Sequence, residues 1–204
     1  MKLYLAKGSI AVAVAIALEE AGLDYDPVVL DFAKGVQTAP DYLALNPKGR
    51  VPALEVADGI LTETGAILDY IATLAPSARL VPQDALQAAR MREVMYYLAS
   101  TMHVNHAHGR RGARWADRPE SHADMRAKVT QTMAASCAYL EEGGVQGPFV
   151  LGAQISLADL YLYVVCSWLK GDGVTIDDYP RLAAQYRVME ARASVKAVRA
   201  QGWL

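Results

Sequence analysis

Three stretches of this chain hold residues whose types and spacing suit chemistry. In the first, Ser9 sets a hydroxyl between a strand-like run, Lys2–Leu5, and a helical run that begins near Ile10. A serine there is a good helix N-cap, and a helix start has unpaired N–H groups that attract anions. In the second, Asn46-Pro47-Lys48-Gly49 is a turn signal followed by Arg50 and the run Val51–Val56. Pro52 lacks an N–H, so it belongs at an edge or at a strand end. The Val51-Pro52 bond is a candidate for the cis form, which would turn the Val51 N–H and C=O outward toward an extended, peptide-like ligand. Glu63-Thr64-Gly65 then opens another helical run, where a carboxylate suited to a ligand ammonium stands beside N–H groups suited to a ligand carboxylate. In the third stretch, His103 and His106 share one helix face, whereas His108 points elsewhere. Two histidines at that spacing, with no carboxylate beside them in the sequence, are only a weak signal for a metal site. Each reads equally as a surface histidine or as part of a substrate site.

The intervening pattern shows what must position these groups. A helix is expected over Ile10–Ala21, with Ile10, Val14, Ala17, Leu18 and Ala21 on one face and Gly22 as its stop. Asp26–Asp31 reads as a strand that Pro27 confines to an edge. A polar loop, Ala33–Thr38, leads to a short helix over Pro40–Leu45. Asp58-Gly59 reads as a hairpin turn, Ile60–Thr62 as its second strand, and Ala66–Leu74 as a helix. The order is βαβαββα, an α/β domain over residues 1–75. The stretch 76–84 breaks all periodicity and reads as a linker. Residues 85–204 read as all-helical, with helices expected over 85–111, 119–142, 156–170, 180–191 and 195–200. Ser156-x-x-Asp159 forms a capping box at the start of one of them, a structural device rather than a catalytic one.

Composition narrows the class further. The chain has 204 residues, 53% of them apolar, ample for packed cores. A net charge of −2 gives no pull toward nucleic acid. Cys137 and Cys166 are too few for a disulfide framework, so a reducing cytoplasm is the simpler setting. The apolar run Ile10–Leu18 is too short to span a bilayer, and Met1-Lys2-Leu3-Tyr4 leads straight into a strand, so no signal peptide is expected. Trp115, Trp168 and Trp203 are expected in cores.

The stretch from Val51-Pro52 to Glu63-Thr64 resembles the glutathione-site half of the glutathione S-transferase family, whose usual Glu/Gln-Ser pair is Glu63-Thr64 here. Gly152 followed by Ser156-x-x-Asp159 resembles that family's C-terminal capping motif. The opening MKLYLAKGS, the segment NPKGRVPAL and Ser100-x-x-His103 are most similar to the bacterial beta-class branch, which carries a cysteine where Ile10 stands. The resemblance implies a thioredoxin-like N-terminal domain, an all-helical C-terminal domain and a cytoplasmic homodimer. It also implies detoxifying transfer of the glutathione thiolate to a small hydrophobic electrophile, with no metal, nucleic acid or membrane involved. On that pattern Val51, next to Pro52, pairs with the cysteinyl unit of glutathione, and Glu63 and Thr64 hold its γ-glutamyl end. Lys34 lies near its glycine end and Arg50 lines the site. Ser9 stabilises the thiolate, and each unit of thiol pKa depression needs about 1.4 kcal/mol. His103 stands at the wall between the glutathione and electrophile sites, with Ile10 and His106 in the electrophile pocket.

Plainer roles stand beside these. Ser9 doubles as a helix cap, Lys34 as a surface lysine, and Arg50 as packing against the linker. Arg110, Arg111 and Arg114 suit a helix C-terminus. A non-catalytic glutathione-fold module is the alternative function. A thiol-disulfide reductase ranks last, because neither cysteine lies near the site in sequence.

Overall fold

The computed structural model describes Met1–Leu204, and its internal contacts divide the chain into two units. The first comprises Met1–Pro82 together with Met189–Leu204, the second Gln83–Val188. The chain's last stretch, expected with the helical domain, thus returns to the α/β unit.

In the first unit the strands are β1 Lys2–Leu5, β2 Asp26–Val29, β3 Ala53–Val56 and β4 Gly59–Thr62, in the order β2-β1-β3-β4. β1 runs parallel to β2 and antiparallel to β3, and β3 pairs antiparallel with β4. Pro27 sits on an edge strand, where its missing N–H leaves no gap in the ladder. β3 begins at Ala53, so Val51 and Pro52 lie just outside it. The hairpin turn is Ala57-Asp58, one residue earlier than the sequence signal, because Gly59 pairs with Val56.

Three helices complete this sheet's plan: α1 Ala11–Ala21, α2 Pro40–Leu45 and α3 Thr64–Leu74. Gly22 ends α1 in the left-handed conformation, as expected. The amphipathic face expected for α1 gives way to burial all round, since every side chain from Ala11 to Leu18 is inaccessible. The reason lies in the C-terminal return. The last helix of the chain, Ala193–Ala200, packs on α1. Arg192 and Ser194 at its start both donate to the Glu20 carboxylate near the end of α1. The Trp203 carbonyl also accepts from the Gly8 N–H at 2.8 Å.

The second unit contains α4 Ala85–Tyr97, α5 His103–Arg111, α6 Pro119–Tyr139, α7 Leu157–Cys166 and α8 Pro180–Glu190, with the unit boundary falling in α8; the last helix is then α9. The long helix expected over 85–111 is interrupted by a wide π-type turn, Leu98–Met102, and that expected over 119–142 gives way to a second, Leu140–Gly144. The capping box at α7 closes as expected. The buried Asp159 carboxylate accepts from the Ser156 N–H and hydroxyl and from the Val150 N–H, so the loop before α7 is hung on one side chain. Of the three tryptophans, Trp203 is buried, but Trp115 is 45% exposed and stacks edge-on against His108, contrary to its expected core role. No helix is long and apolar enough to cross a membrane.

Glu20 supplies a pH test of the C-terminal return. Burial pushes its carboxyl up, yet the hydrogen bonds from Arg192 and Ser194 outweigh burial and hold it below the ordinary 4.5. A depressed native value means that the unfolded chain binds the proton more readily. The stabilisation is therefore full above the ordinary value and is lost as pH falls through the native one. Glu20→Gln is expected to lower unfolding free energy at neutral pH by about 1–3 kcal/mol. The deficit should shrink in acid. Denaturant unfolding at several pH values checks this, and a pH-independent deficit would show that the charge is not responsible.

Candidate functional site

The sheet topology gathers most of the sequence-predicted groups at one end of the first unit. β1 and β2 end there, β3 starts there and β4 ends there. Consequently the Ser9 loop, the Lys34 loop, Val51-Pro52 and Glu63-Thr64 all lie at that end. Ala53 pairs with Thr62, so the register sets Pro52 opposite Glu63.

The Val51-Pro52 peptide is cis, and the turn before it is held firmly. The Gly49 N–H donates to the Asn46 carbonyl, and the Lys48 N–H donates to the Asn46 side-chain oxygen. Gly49 takes φ +59°, and an added Cβ would lie 3.0 Å from the Gln37 carbonyl, so a side chain there meets both strain and backbone. The Asn46 amide and the Tyr42 hydroxyl then donate to the Arg50 carbonyl at 2.8 and 2.7 Å. Val51 follows with its backbone N–H and C=O outside the β3 ladder, as a ligand strand requires. The Arg50 side chain is exposed; its carbonyl is the part that holds the loop.

Glu63 adopts φ +71° without being glycine, a conformation of the kind found where function overrides backbone preference. Its side chain leaves the α3 start uncapped, and its carboxylate accepts from Lys48 Nζ at 2.5 Å. Lys48 also donates to the Thr62 hydroxyl at 2.9 Å, which ties the turn to the end of β4. Helix α3 begins at Thr64, two residues before the expected start, and Thr64 is buried at its first position. The Ile67 N–H donates to the Glu63 carbonyl, leaving the N–H groups of Thr64, Gly65 and Ala66 without an intrahelical partner.

Ser9 departs from its expected cap. Its hydroxyl donates back to the Ala6 carbonyl at 2.7 Å, and the residue flanking α1 is Ile10, with no side-chain cap. Ile10 is only 5% exposed, so its side chain belongs to the core and offers a pocket little surface. Tyr4 is already committed, donating to Glu55 at 2.8 Å. Burial first, and Glu55 second, push its phenol up to about 12. Lys34 is exposed and pairs with Asp31 at 3.5 Å.

His103 and His106 lie in the second unit, where their common face is taken up by Trp168. His106 stacks on the indole at 4.3 Å between ring centres, and His103 tilts against it at 4.9 Å. His106 also meets a carboxylate that the sequence placed far away, Asp172, at 2.8 Å. No group of three or more His, Cys, Asp or Glu side chains suits a metal ion. Sequence reasoning missed Asp172, although Asp172-Gly173 is a turn signal that fixes a side chain in place. It also missed Tyr42 and the Lys48–Glu63 pair, which no local pattern marks.

Burial pushes the Cys137 thiol up to about 12 and the Cys166 thiol well above its ordinary value. Neither should react with an aromatic disulfide reagent until the protein unfolds, when both should react; prompt reaction of the native protein would refute the buried placement. Asn46→Ala removes the two side-chain bonds, Nδ2 to the Arg50 carbonyl and Lys48 N–H to Oδ1, and is expected to cost about 2 kcal/mol. Amide exchange at Lys48 and Gly49 should accelerate with it, and unchanged exchange would mean that the turn is held by other groups.

The family model for the glutathione S-transferase N-terminal domain matches residues 1–73, and that for the C-terminal domain matches residues 110–186. The chain is 30% identical to glutathione S-transferase GstA of Escherichia coli over 99% of both chains. A solved glutathione transferase homologue from Sulfitobacter, with bound glutathione, is 58% identical, with a TM-score of 0.98 over 100% of this chain and 98% of that one. A bacterial beta-class glutathione S-transferase from Sphingomonas chungbukensis is 32% identical, with a TM-score of 0.85 over 100% of both chains. A thioredoxin-like sheet with an uncapped helix start beside a cis Val51-Pro52, followed by helices, is thus matched over its full length by transferases. The chain belongs to the glutathione S-transferase family.

Proposed function

We propose that this transferase binds glutathione at the Val51 and α3 end of its sheet and transfers the thiolate to a small hydrophobic electrophile. The observation that carries the reading is the pairing of a free Val51 backbone with three unpaired N–H groups at the α3 start. Val51 takes the cysteinyl unit in strand fashion. The α3 N–H groups and the Thr64 hydroxyl take the γ-glutamyl carboxylate, and Glu63 takes its ammonium, displacing Lys48. Lys34 and Arg50, both exposed, serve the glycine carboxylate and the rim. A solved homologue with bound glutathione, 58% identical, supports this assignment.

The thiolate lies at the α1 start. Ile10 and Ala11 present N–H groups there that no helical carbonyl takes, and Ser9 adds its hydroxyl by turning its proton away from the Ala6 carbonyl. Ile10 contributes through this backbone position. With no cysteine there and both thiols buried, the chemistry is conjugation rather than disulfide exchange. His103 and His106, packed on Trp168, receive the electrophile on the second unit. The free thiols fit a reducing cytoplasm, and exposed Leu86, Tyr96 and Tyr139 on the second unit fit a homodimer.

Titration of glutathione by calorimetry, with thiolate absorbance followed against pH, tests this reading. Saturable binding with a thiol pKa below that of free glutathione is expected. Glu63→Ala should weaken binding about tenfold, the loss of one charge-assisted contact. Ser9→Ala should raise the bound thiol's pKa with little change in affinity. Saturable binding at an unshifted pKa would instead favour a non-catalytic binding module.

A further inference from the structure

The turn that carries Ser9 is held from outside by the chain's last stretch, and the transferase reading makes no use of this. All the residues concerned belong to the first unit. Within the turn, the Ala6 carbonyl accepts from the Ser9 N–H at 3.1 Å and from the Ser9 hydroxyl at 2.7 Å. Gly8 takes φ +65°, a conformation that glycine enters and leaves at little cost. Such a turn is soft on its own. A further bond stiffens it, because the Gly8 N–H donates to the Trp203 carbonyl at 2.8 Å.

The acceptor in that bond is itself aimed by its surroundings. Gly202 follows α9 at φ +68°, its N–H donating to the Arg199 carbonyl at 2.8 Å and the Trp203 N–H to the Val198 carbonyl at 3.4 Å. These two bonds are the paired closure of a Schellman helix end, which sets the course of the residue that follows. Trp203 is 5% exposed, so its buried side chain anchors that residue. Lys7, from the turn, lies against the same helix end, its Nζ 3.8 Å from where a Cβ on Gly202 would stand. At the other end of α9, Arg192 and Ser194 grip Glu20 near the end of α1. The last helix therefore runs back along α1 and is fixed at both ends, at Glu20 and at Gly8. Packing on α1 accounts for the first tie but not for the second, which goes to the loop rather than to the helix.

We propose that Trp203 is a positioning residue of the thiolate site: its carbonyl, through Gly8, holds the turn that presents the Ser9 hydroxyl and the first N–H groups of α1 to the glutathione sulfur. The proposal rests on the reading that the α1 start receives the thiolate. Hydrogen bonds to a thiolate depend on direction, and donors of this kind serve only within about 0.5 Å of their proper places. With the Gly8 N–H released to water, the turn explores other geometries and the hydroxyl meets the sulfur less often. The sulfur then keeps its proton to higher pH. The Val51 turn is held by its own donors, Tyr42 and Asn46, so recognition of the rest of glutathione stays intact. Trp203 thus bears on activation of the thiol and not on binding of the tripeptide.

The test separates the thiol from the rest of the ligand. The pKa of bound glutathione is read from thiolate absorbance, and affinity for S-methylglutathione, which has no thiol proton, from calorimetry. Both are measured in wild type, Trp203→Ala, Trp203→Phe and Gly202→Val, together with amide exchange at Gly8. A branched Cβ is disfavoured at positive φ, so Gly202→Val re-aims the Trp203 carbonyl while the indole is retained. Trp203→Ala and Gly202→Val are expected to speed Gly8 exchange and to raise the bound thiol's pKa by about one unit, roughly a tenfold loss of thiolate below that value. Affinity for S-methylglutathione should stay within about twofold, a change too small for a lost ligand contact. Trp203→Phe, which keeps a ring in the buried position, should stay near wild type in both. An unmoved pKa beside faster Gly8 exchange would overturn the proposal, and so would Gly8 exchange that neither variant changes. Equal losses in thiol activation and in S-methylglutathione affinity would make the contact structural and overturn it too. If Trp203→Ala does not fold, Gly202→Val decides by the same criteria. Failure of the underlying reading shows in wild type, as no S-methylglutathione binding or a bound thiol with the pKa of free glutathione, and the proposal falls with either.

Discussion

The Arg50 carbonyl is the point on which the Val51 end of the sheet depends. Two donors from the segment just before it, the Tyr42 hydroxyl and the Asn46 amide, converge on this one oxygen. Asn46 is 2% exposed, so its bonds form where water competes little. They fix the direction in which the chain leaves the turn and enters the cis Val51-Pro52 peptide. Were the carbonyl released, the chain could extend the β3 ladder by another pair, and the Val51 backbone would be spent on β1 or β4. The Val51 backbone stays open where the sheet stops one step short. On the proposed reading, side chains that hold a carbonyl thus produce a ligand site that is itself made of backbone.

The same end of the sheet stores a second departure from ordinary preference. Glu63 is held at positive φ, a region that costs a residue with a Cβ on the order of 1–3 kcal/mol. The exposed ion pair with Lys48 returns little of that, because solvent screens it. What the geometry gains is placement. The reversal at Glu63 lets α3 start directly after β4, with Thr64 buried at the first position and the next N–H groups facing outward. A relaxed residue here would need a longer connection, and the helix start would move away from Val51. The cost falls on local stability and the benefit on the site, the usual direction of exchange where a strained residue is retained.

Most of the first unit was legible because its signals are local. Gly22, Pro27, Pro52 and the Glu63-Thr64 pair each act within a few residues, through φ preference, a missing N–H or an unpaired helix start. What escaped were contacts made at long range in the chain. The burial of α1 on all sides depends on α9, and a helix with an even apolar composition does not announce which partner covers it. The Ser9 cap failed for a related reason: its hydroxyl donates to the Ala6 carbonyl, and Ile10 rather than Ser9 flanks α1. Local competition between carbonyls and N–H groups for a serine is settled by a fraction of an ångström, below the resolution of a pattern.

The second unit resists sequence reading more deeply, because its groups are side chains rather than backbone. A backbone site follows from the fold, and substitutions around it matter only where they bend the chain. A side-chain site follows from which residue meets which, and here the decisive meeting spans His106, Trp168 and Asp172. The helix that carries His106 predicts its face but not what lies opposite. Only the turn closed by Gly173 and Thr130 brings a carboxylate to the imidazole, and that turn was visible beforehand just as punctuation. On the proposed reading, the glutathione end is built of backbone that the fold sets out, whereas the His106 face is built of side-chain pairings particular to this sequence.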